Sequence, residues 1–255
     1  MKKQTLAACL LALALFAAIP ANAGDYKGFY GGVNLGGVSA NSNTFTGTVF
    51  NSSGYFNVTS PIAINKVGTQ VVSPSSFTGG GQVGYNFQHN AWVLGVETDF
   101  GSMPLSDVQV GTAPYPCCPT TNFTVTQTVE TSWLYTLRPR LGVTHGPVLF
   151  YGTGGLAVTN LTYQAFFRDT FASASEGTIQ KSDQVGWAAG GGVEFKVGPK
   201  WSLKGEYLHG DFGFVTMNST NLLTQGPPHA WPMNPFVHSA DLTANIYRFG
   251  FNYRF

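Results

Sequence analysis

Large apolar residues alternate with small or polar ones over eight stretches of the chain: 28–39, 76–87, 92–101, 129–144, 148–159, 184–196, 201–211 and 242–255. A period of two is the mark of a β-strand with two unlike faces. Most stretches are about 10–13 residues long, enough for a tilted strand to cross a bilayer. Their connections alternate in length. Residues 88–91, 145–147 and 197–200 are short and carry the Asn, Gly and Pro of hairpin turns. Residues 40–75, 102–128, 160–183 and 212–241 are long and rich in Asn, Ser, Thr and Pro. The expected fold class is therefore all-β, an eight-stranded antiparallel transmembrane β-barrel with four long extracellular loops and three short periplasmic turns.

Periodicity alone leaves open which face is wet, because a soluble β-sandwich alternates in the same way. The composition of the two faces decides for the membrane. In the last stretch Tyr247, Phe249, Phe251, Tyr253 and Phe255 share one face, while Arg248, Gly250, Asn252 and Arg254 share the other. In the sixth, Val185, Trp187, Val193 and Phe195 oppose Gly186, Ala188, Gly190, Gly192 and Glu194. Bulk facing out and small or charged residues facing in suit a narrow barrel in lipid, since eight strands leave little interior room. Trp92, Trp133, Trp187, Trp201 and Tyr253 sit near strand ends or on the apolar parity, as interfacial girdles require.

Residues 1–23 read as a removable signal peptide, with Lys2 and Lys3, an apolar run from Leu6 to Ile19, and Ala21-Asn22-Ala23 before the cut. Residues 24–255 then form one barrel domain exported by a Sec-type route to the outer membrane of a bacterium. Leu6-Ala7-Ala8-Cys9 has the letters of a lipidation box, but it stands at the wrong end of the apolar run. The 13 Lys and Arg residues against 12 Asp and Glu give +1, and without Lys2 and Lys3 the balance is 11 against 12, or −1. A near-neutral chain offers no field for nucleic acid. Charged residues are only 10% of the chain, well under the roughly 25% of soluble domains.

The few charges that remain fall on the inward parity: Glu97, Asp99, Arg138, Arg140, Glu194, Lys204, Glu206 and Arg248. Four acids face four bases. Charges in a narrow lumen are costly unless paired, so the balance implies a cross-strand network that fills the interior. The rival reading is a hydrated pore whose charges select ions. Pro139, between two inward arginines, cannot donate to a ladder, and a bulge near the periplasmic turn is expected there.

Several motifs fail in context. Gly79-Gly80-Gly81-Gln82-Val83-Gly84 matches a dinucleotide glycine pattern, yet no helix start follows it. The five histidines form no pair or Cys/His cluster with metal spacing, so no metal or cofactor is expected. His209-Gly210-Asp211 and His238-Ser239 supply no nucleophile, base and orienting group in order, and the chain is not expected to be an enzyme. Asn-x-Ser/Thr triplets occur in the loops by composition. Cys117 and Cys118, between Pro116 and Pro119, form either a vicinal disulfide or two free thiols.

Taken in order, Gly28-Phe29-Tyr30-Gly31-Gly32, Gly95-Val96-Glu97-Thr98-Asp99-Phe100 and Leu137-Arg138-Pro139-Arg140-Leu141-Gly142 resemble a known group. Tyr151-Gly152-Thr153-Gly154-Gly155-Leu156-Ala157, Gly190-Gly191-Gly192-Val193-Glu194, Leu203-Lys204-Gly205-Glu206-Tyr207 and Tyr253-Arg254-Phe255 continue the likeness. The group is the small outer-membrane β-barrel family, with opacity-type porin-like proteins and the OmpA transmembrane domain. The resemblance implies that the aromatic-rich final strand is read by the outer-membrane assembly machinery. It also implies a role as a surface structural protein, adhesin or immune target, or as a porin. Where the family has a small residue, this chain has Pro139.

Two functions follow. In the first, the barrel is ion-paired and largely closed, stabilises the outer membrane in contact with its lipid, and presents loops to a host or matrix ligand. In the second it is a porin-type passive channel for small polar solutes or ions. The stretch Pro227-Pro228-His229-Ala230-Trp231-Pro232 either offers aromatics to a partner or folds onto the barrel rim.

Overall fold

The computed structural model describes residues 25–225 and 228–255, so the signal segment lies outside the described residues. The strands are β1 (Gly28–Thr48), β2 (Thr69–Val72), β3 (Ser75–His89), β4 (Trp92–Ser102), β5 (Ser106–Pro114), β6 (Asn122–Glu130), β7 (Trp133–His145), β8 (Val148–Asp169), β9 (Ser175–Lys196), β10 (Trp201–Ser219), β11 (Leu223–Gln225), β12 (Pro228–Ala230) and β13 (Phe236–Arg254). A short helix, α1 (Ser60–Gly68), precedes β2. Eight of the strands form a ring in the order β1, β3, β4, β7, β8, β9, β10, β13, and every pairing is antiparallel. The first and last strands close it, from Tyr30↔Arg254 to Thr48↔Phe236. Closure leaves no free edge in the ring, which a membrane-spanning sheet needs because lipid offers its backbone no hydrogen bonds.

The short turns lie at one end, where Asn90 and Gly146 adopt the positive φ that tight hairpins require. The glycine run 79–84 lies inside β3, in sheet and not in a phosphate-binding turn. On β9 the outward residues Phe195, Val193, Trp187 and Val185 give way to Asp183 and Lys181. From Val185 to Phe195 a tilted strand rises about 25 Å, the height of an outer-membrane apolar band.

At the other end the expected long loops are largely strand. β1 runs on to Thr48 and β8 to Asp169, while β9 begins at Ser175 and β13 at Phe236. The β5–β6 hairpin takes over beside β8 from Glu130↔Thr162 to Phe123↔Asp169, above the last β7 rung at Leu134↔Thr159. β2 likewise pairs with β1 above the end of β3. The barrel thus carries a second storey. On β6 the polarity is inverted: Phe123, Val125 and Val129 are buried while Thr124, Thr126 and Thr128 face out. That is the apolar-in, polar-out pattern of a sheet in water. β10 parts from β9 above Asp211↔Trp187, where the ladder shifts and Gly213 takes a φ of +71°.

No bulge forms at Pro139. Leu137↔Leu156 and Arg140↔Thr153 share one register, so no residue is inserted and the ladder simply lacks its two middle rungs. The proline lies mid-strand and faces outward, keeps its place opposite Val96, and its carbonyl accepts the Thr153 hydroxyl at 2.8 Å. A missing N–H is accommodated by omitting rungs because the neighbouring Gly154 and Gly155 allow β8 to sit close without them; a Cβ on Gly155 would approach Arg138 Cα at 3.0 Å.

Candidate functional site

Strand alternation turns eight charged side chains into the lower lumen, and the structure brings them together with every one buried. Arg138, with no exposed surface, reaches Glu97 at 3.1 Å, Asp99 at 2.9 Å and Glu206 at 3.4 Å through Nη2, and its Nε donates to Thr136 at 2.9 Å. Arg248 grips both Asp99 oxygens at 2.9 Å and donates Nε to Glu206 at 2.7 Å. Lys204 donates to Glu97 at 2.8 Å. Arg140 donates twice to Glu194 at 3.1 Å and through Nε to Asn86 at 2.9 Å. Its guanidinium also lies between two rings, 4.8 Å from that of Tyr30 and 5.0 Å from that of Tyr151. Planar guanidinium forks meeting carboxylates two at a time are the strong form of such contacts.

Uncharged side chains complete the set. Tyr30 donates to Glu97 and Tyr151 to Glu206, both at 2.8 Å, and Thr136 donates to Asp99 at 2.5 Å. Asn34, Gln82 and Asn252 chain together across the lumen and end on Glu194. Among the described residues of this layer, only Nη1 of Arg138 is a buried side-chain nitrogen without a partner. Sequence reasoning found the charges by parity and missed Tyr30, Tyr151, Asn86 and Gln82. An inward tyrosine contradicts the bulk-outward rule, and its only sequence signal is the inward glycine beside it on the neighbouring strand.

Buried side chains lie below and above this layer. Tyr26, ahead of β1, is fully buried under the barrel and donates its hydroxyl to the carbonyls of Pro147 at 2.6 Å and Glu194 at 2.8 Å. Above the charges lies an apolar layer that includes Met103, Leu105, Leu134, Leu161, Phe212 and Leu242. Next comes a polar layer where buried His238 meets Thr46 at 3.0 Å through Nδ1 and Glu176 at 3.2 Å through Nε2. Tyr163 and Gln127 share a 2.6 Å hydrogen bond in the same layer. An aromatic cap of Phe56, Phe123, Phe167 and Phe236 closes the top. Side chains therefore fill the interior in layers, as eight strands generally require.

The remaining sequence-derived candidates fall on the outside. Tyr247, Phe249, Phe251 and Phe255 are exposed and Tyr253 half-exposed on the outward side of β13 and its end, with Trp201 stacked on Phe251 at 4.7 Å. Cys117 and Cys118 are unbonded at the β5–β6 turn, with their sulfurs 2.7 Å apart. His238 points inward and Ser239 outward, so these two do not meet; His238 Nε2 lies instead 3.3 Å from Ser219 Oγ and 3.2 Å from Glu176 Oε1, and His209 pairs with Asn245 at 3.0 Å. Of the Pro-rich stretch, Pro227 lies outside the described residues; β12 folds back on β11, and Trp231 rests on the rim with its ring 5.6 Å from that of Tyr55.

Residues 8–255 match the family described as outer membrane protein beta-barrel domain. Over 191 residues the chain is 34% identical to a 31 kDa outer-membrane immunogenic protein of Brucella melitensis biotype 1, an alignment that covers 74% of this chain and 70% of that protein. Two solved structures are similar at low identity. Ail, the attachment invasion locus protein of Yersinia pestis, in complex with the heparin analogue sucrose octasulfate, is 12% identical with a TM-score of 0.34, covering 89% of this chain and 99% of that one. The outer membrane protease OmpT of Escherichia coli is 7% identical with a TM-score of 0.42, covering 89% and 96%.

Proposed function

The chain belongs to the outer membrane protein β-barrel family and resides in the bacterial outer membrane, and from that premise we propose that it is a closed, non-enzymatic barrel whose work is done by its outer storey. The single observation that carries this reading is the filled lumen: an ion-paired layer, an apolar layer and an aromatic cap lie in series along the axis. A path for solutes would have to cross all three, and an apolar layer excludes ions most strongly.

In this reading residues 1–23 are removed on export, the short turns lie in the periplasm, and the second storey with its long connections stands outside the cell. The outward aromatics Tyr247, Phe249, Phe251, Tyr253 and Phe255 serve first as the signal for the assembly machinery and then as contacts to outer-membrane lipid. A surface role is supported by the inverted polarity of β6 in the storey, a pattern built for water. It is also supported by the Brucella relative, which is an outer-membrane immunogenic protein. The partner is a host or matrix ligand met by the storey's tips. A hydrolytic reading has little support, because His238 and Glu176, which meet Ser219, are buried inside the barrel, and Ser239 faces away from His238.

Cells displaying the intact chain are expected to bind host cells or matrix several-fold better than cells displaying a chain in which residues 52–58, 115–119 and 221–231 are replaced by short Gly-Ser turns. Surface display of the two forms is to be matched by antibody labelling. Equal attachment by both would sink the adhesive role and leave the structural one.

A further inference from the structure

Three connections of the outer storey meet around an open cleft of about 210 Å³. Tyr55 and Phe56 reach it from the segment before α1, Tyr115, Cys117 and Cys118 from the β5–β6 turn, and Phe171 from the β8–β9 turn. The Tyr55 ring stands edge-on to Phe56 at 5.0 Å and to Phe171 at 6.3 Å. Residues far apart in sequence thus bring four rings and two sulfurs to one place.

Most of the polar side-chain atoms around the cleft are already committed. The Tyr55 and Tyr115 hydroxyls both donate to Oδ2 of Asp169, at 2.7 and 2.8 Å, while Oδ1 of Asp169 accepts the backbone N–H groups of Ala172 and Ala174. Burial, together with the Asp169 carboxylate, pushes both phenols well above the ordinary tyrosine range, so they remain protonated donors to it. Asn57 Oδ1 accepts from the backbone and hydroxyl groups of Thr59 and Ser60. No Lys, Arg, Asp or Glu lines the cleft. What faces a ligand is mainly ring and sulfur, both polarisable and uncharged.

A sugar or a charged group would find few free partners there, the Asn57 amide nitrogen at the edge among them, and would lose most of its hydration without compensation. An aromatic molecule needs none. A dry apolar cavity of about 150 Å³ suffices for benzene, so the somewhat larger cleft suits one ring or two fused rings. We propose that the cleft between the β5–β6 turn, the β8–β9 turn and the segment before α1 binds a small uncharged aromatic molecule, stacked among Tyr55, Phe56, Tyr115 and Phe171 and in contact with the Cys117 and Cys118 sulfurs. The site depends on the outer storey alone and stands whether or not the lumen conducts.

The cysteine pair supplies the readout, because the only other cysteine is Cys9 in the leader. In the refolded full mature chain in lipid nanodiscs, after reduction, indole is expected to slow alkylation of Cys117 and Cys118 by N-ethylmaleimide several-fold and saturably. Glucose at the same concentration is expected to leave the rate unchanged. Phe171 is an exposed side chain on the outer side of the cleft, so Phe171→Ala should lose the protection, measured against that variant's own alkylation rate without indole. Intermolecular NOEs from indole to the Phe171 ring provide a second measurement that needs no thiol chemistry. An alkylation rate indifferent to indole together with absent NOEs would overturn the site, and equal protection by glucose would overturn its preference for aromatic molecules.

Discussion

Replacing Arg138 with alanine is expected to lower the stability of the refolded barrel by about 3–5 kcal/mol, the usual cost of removing one partner from a buried ionic network. Its Nη2 is shared among Glu97, Asp99 and Glu206, so one substitution weakens the neutralisation of three buried carboxylates. Lys204 and Arg248 between them still touch all three, but each carboxylate loses one of its cationic partners. The loss has two parts, the cavity left by a large side chain and the excess negative charge, and Arg138→Met separates them by restoring bulk alone. Urea unfolding in lipid vesicles, followed by tryptophan fluorescence, measures both variants. A loss under about 1 kcal/mol for Arg138→Ala would mean that water already solvates the layer, since exposed pairs contribute no more than that.

Gly84→Leu should be the second costly change, by about 1–3 kcal/mol or more, because overpacking a filled interior forces side chains off their rotamers. Gly84 faces inward, where a Cβ would overlap the Tyr30 ring. Displacing that ring breaks its 2.8 Å hydrogen bond to Glu97 and its stacking on Arg140. Gly81 provides the control on the same strand: it faces outward, and a Cβ there meets nothing closer than 3.9 Å. Gly81→Ala is expected to stay within about 0.5 kcal/mol of the parent. Thermal unfolding of the two variants side by side reports the contrast, and equal losses would show that the interior near Tyr30 is loosely packed.

The contrast between these glycines also marks what could be read from the sequence. Strand faces differ in composition, so the ring of eight strands and the inward parity of Arg138, Glu206 and their partners follow from alternation alone. The second storey is different in kind. On β6 the pattern Phe123, Val125, Val129 against Thr124, Thr126, Thr128 is as regular as on any lower strand, but here the apolar parity is turned inward instead of outward. A search for outward bulk therefore reads it as polar loop. Tyr26 and His238 were hidden for the same reason, since a residue before the first strand and a residue in a presumed loop have no parity to argue from. Pro139 misleads in the other direction. A proline in a closed barrel suggests an inserted residue, whereas flanking glycines on β8 let the sheet drop two rungs and keep its register.

The claim that the lumen is sealed is tested most directly by planar-bilayer recording of the refolded mature chain. The layered interior predicts a silent membrane, with no steady unitary openings at moderate voltage in salt solution. Reproducible ohmic openings that track the amount of folded barrel would contradict it, and would turn the eight buried charges from a structural fill into the lining of a channel.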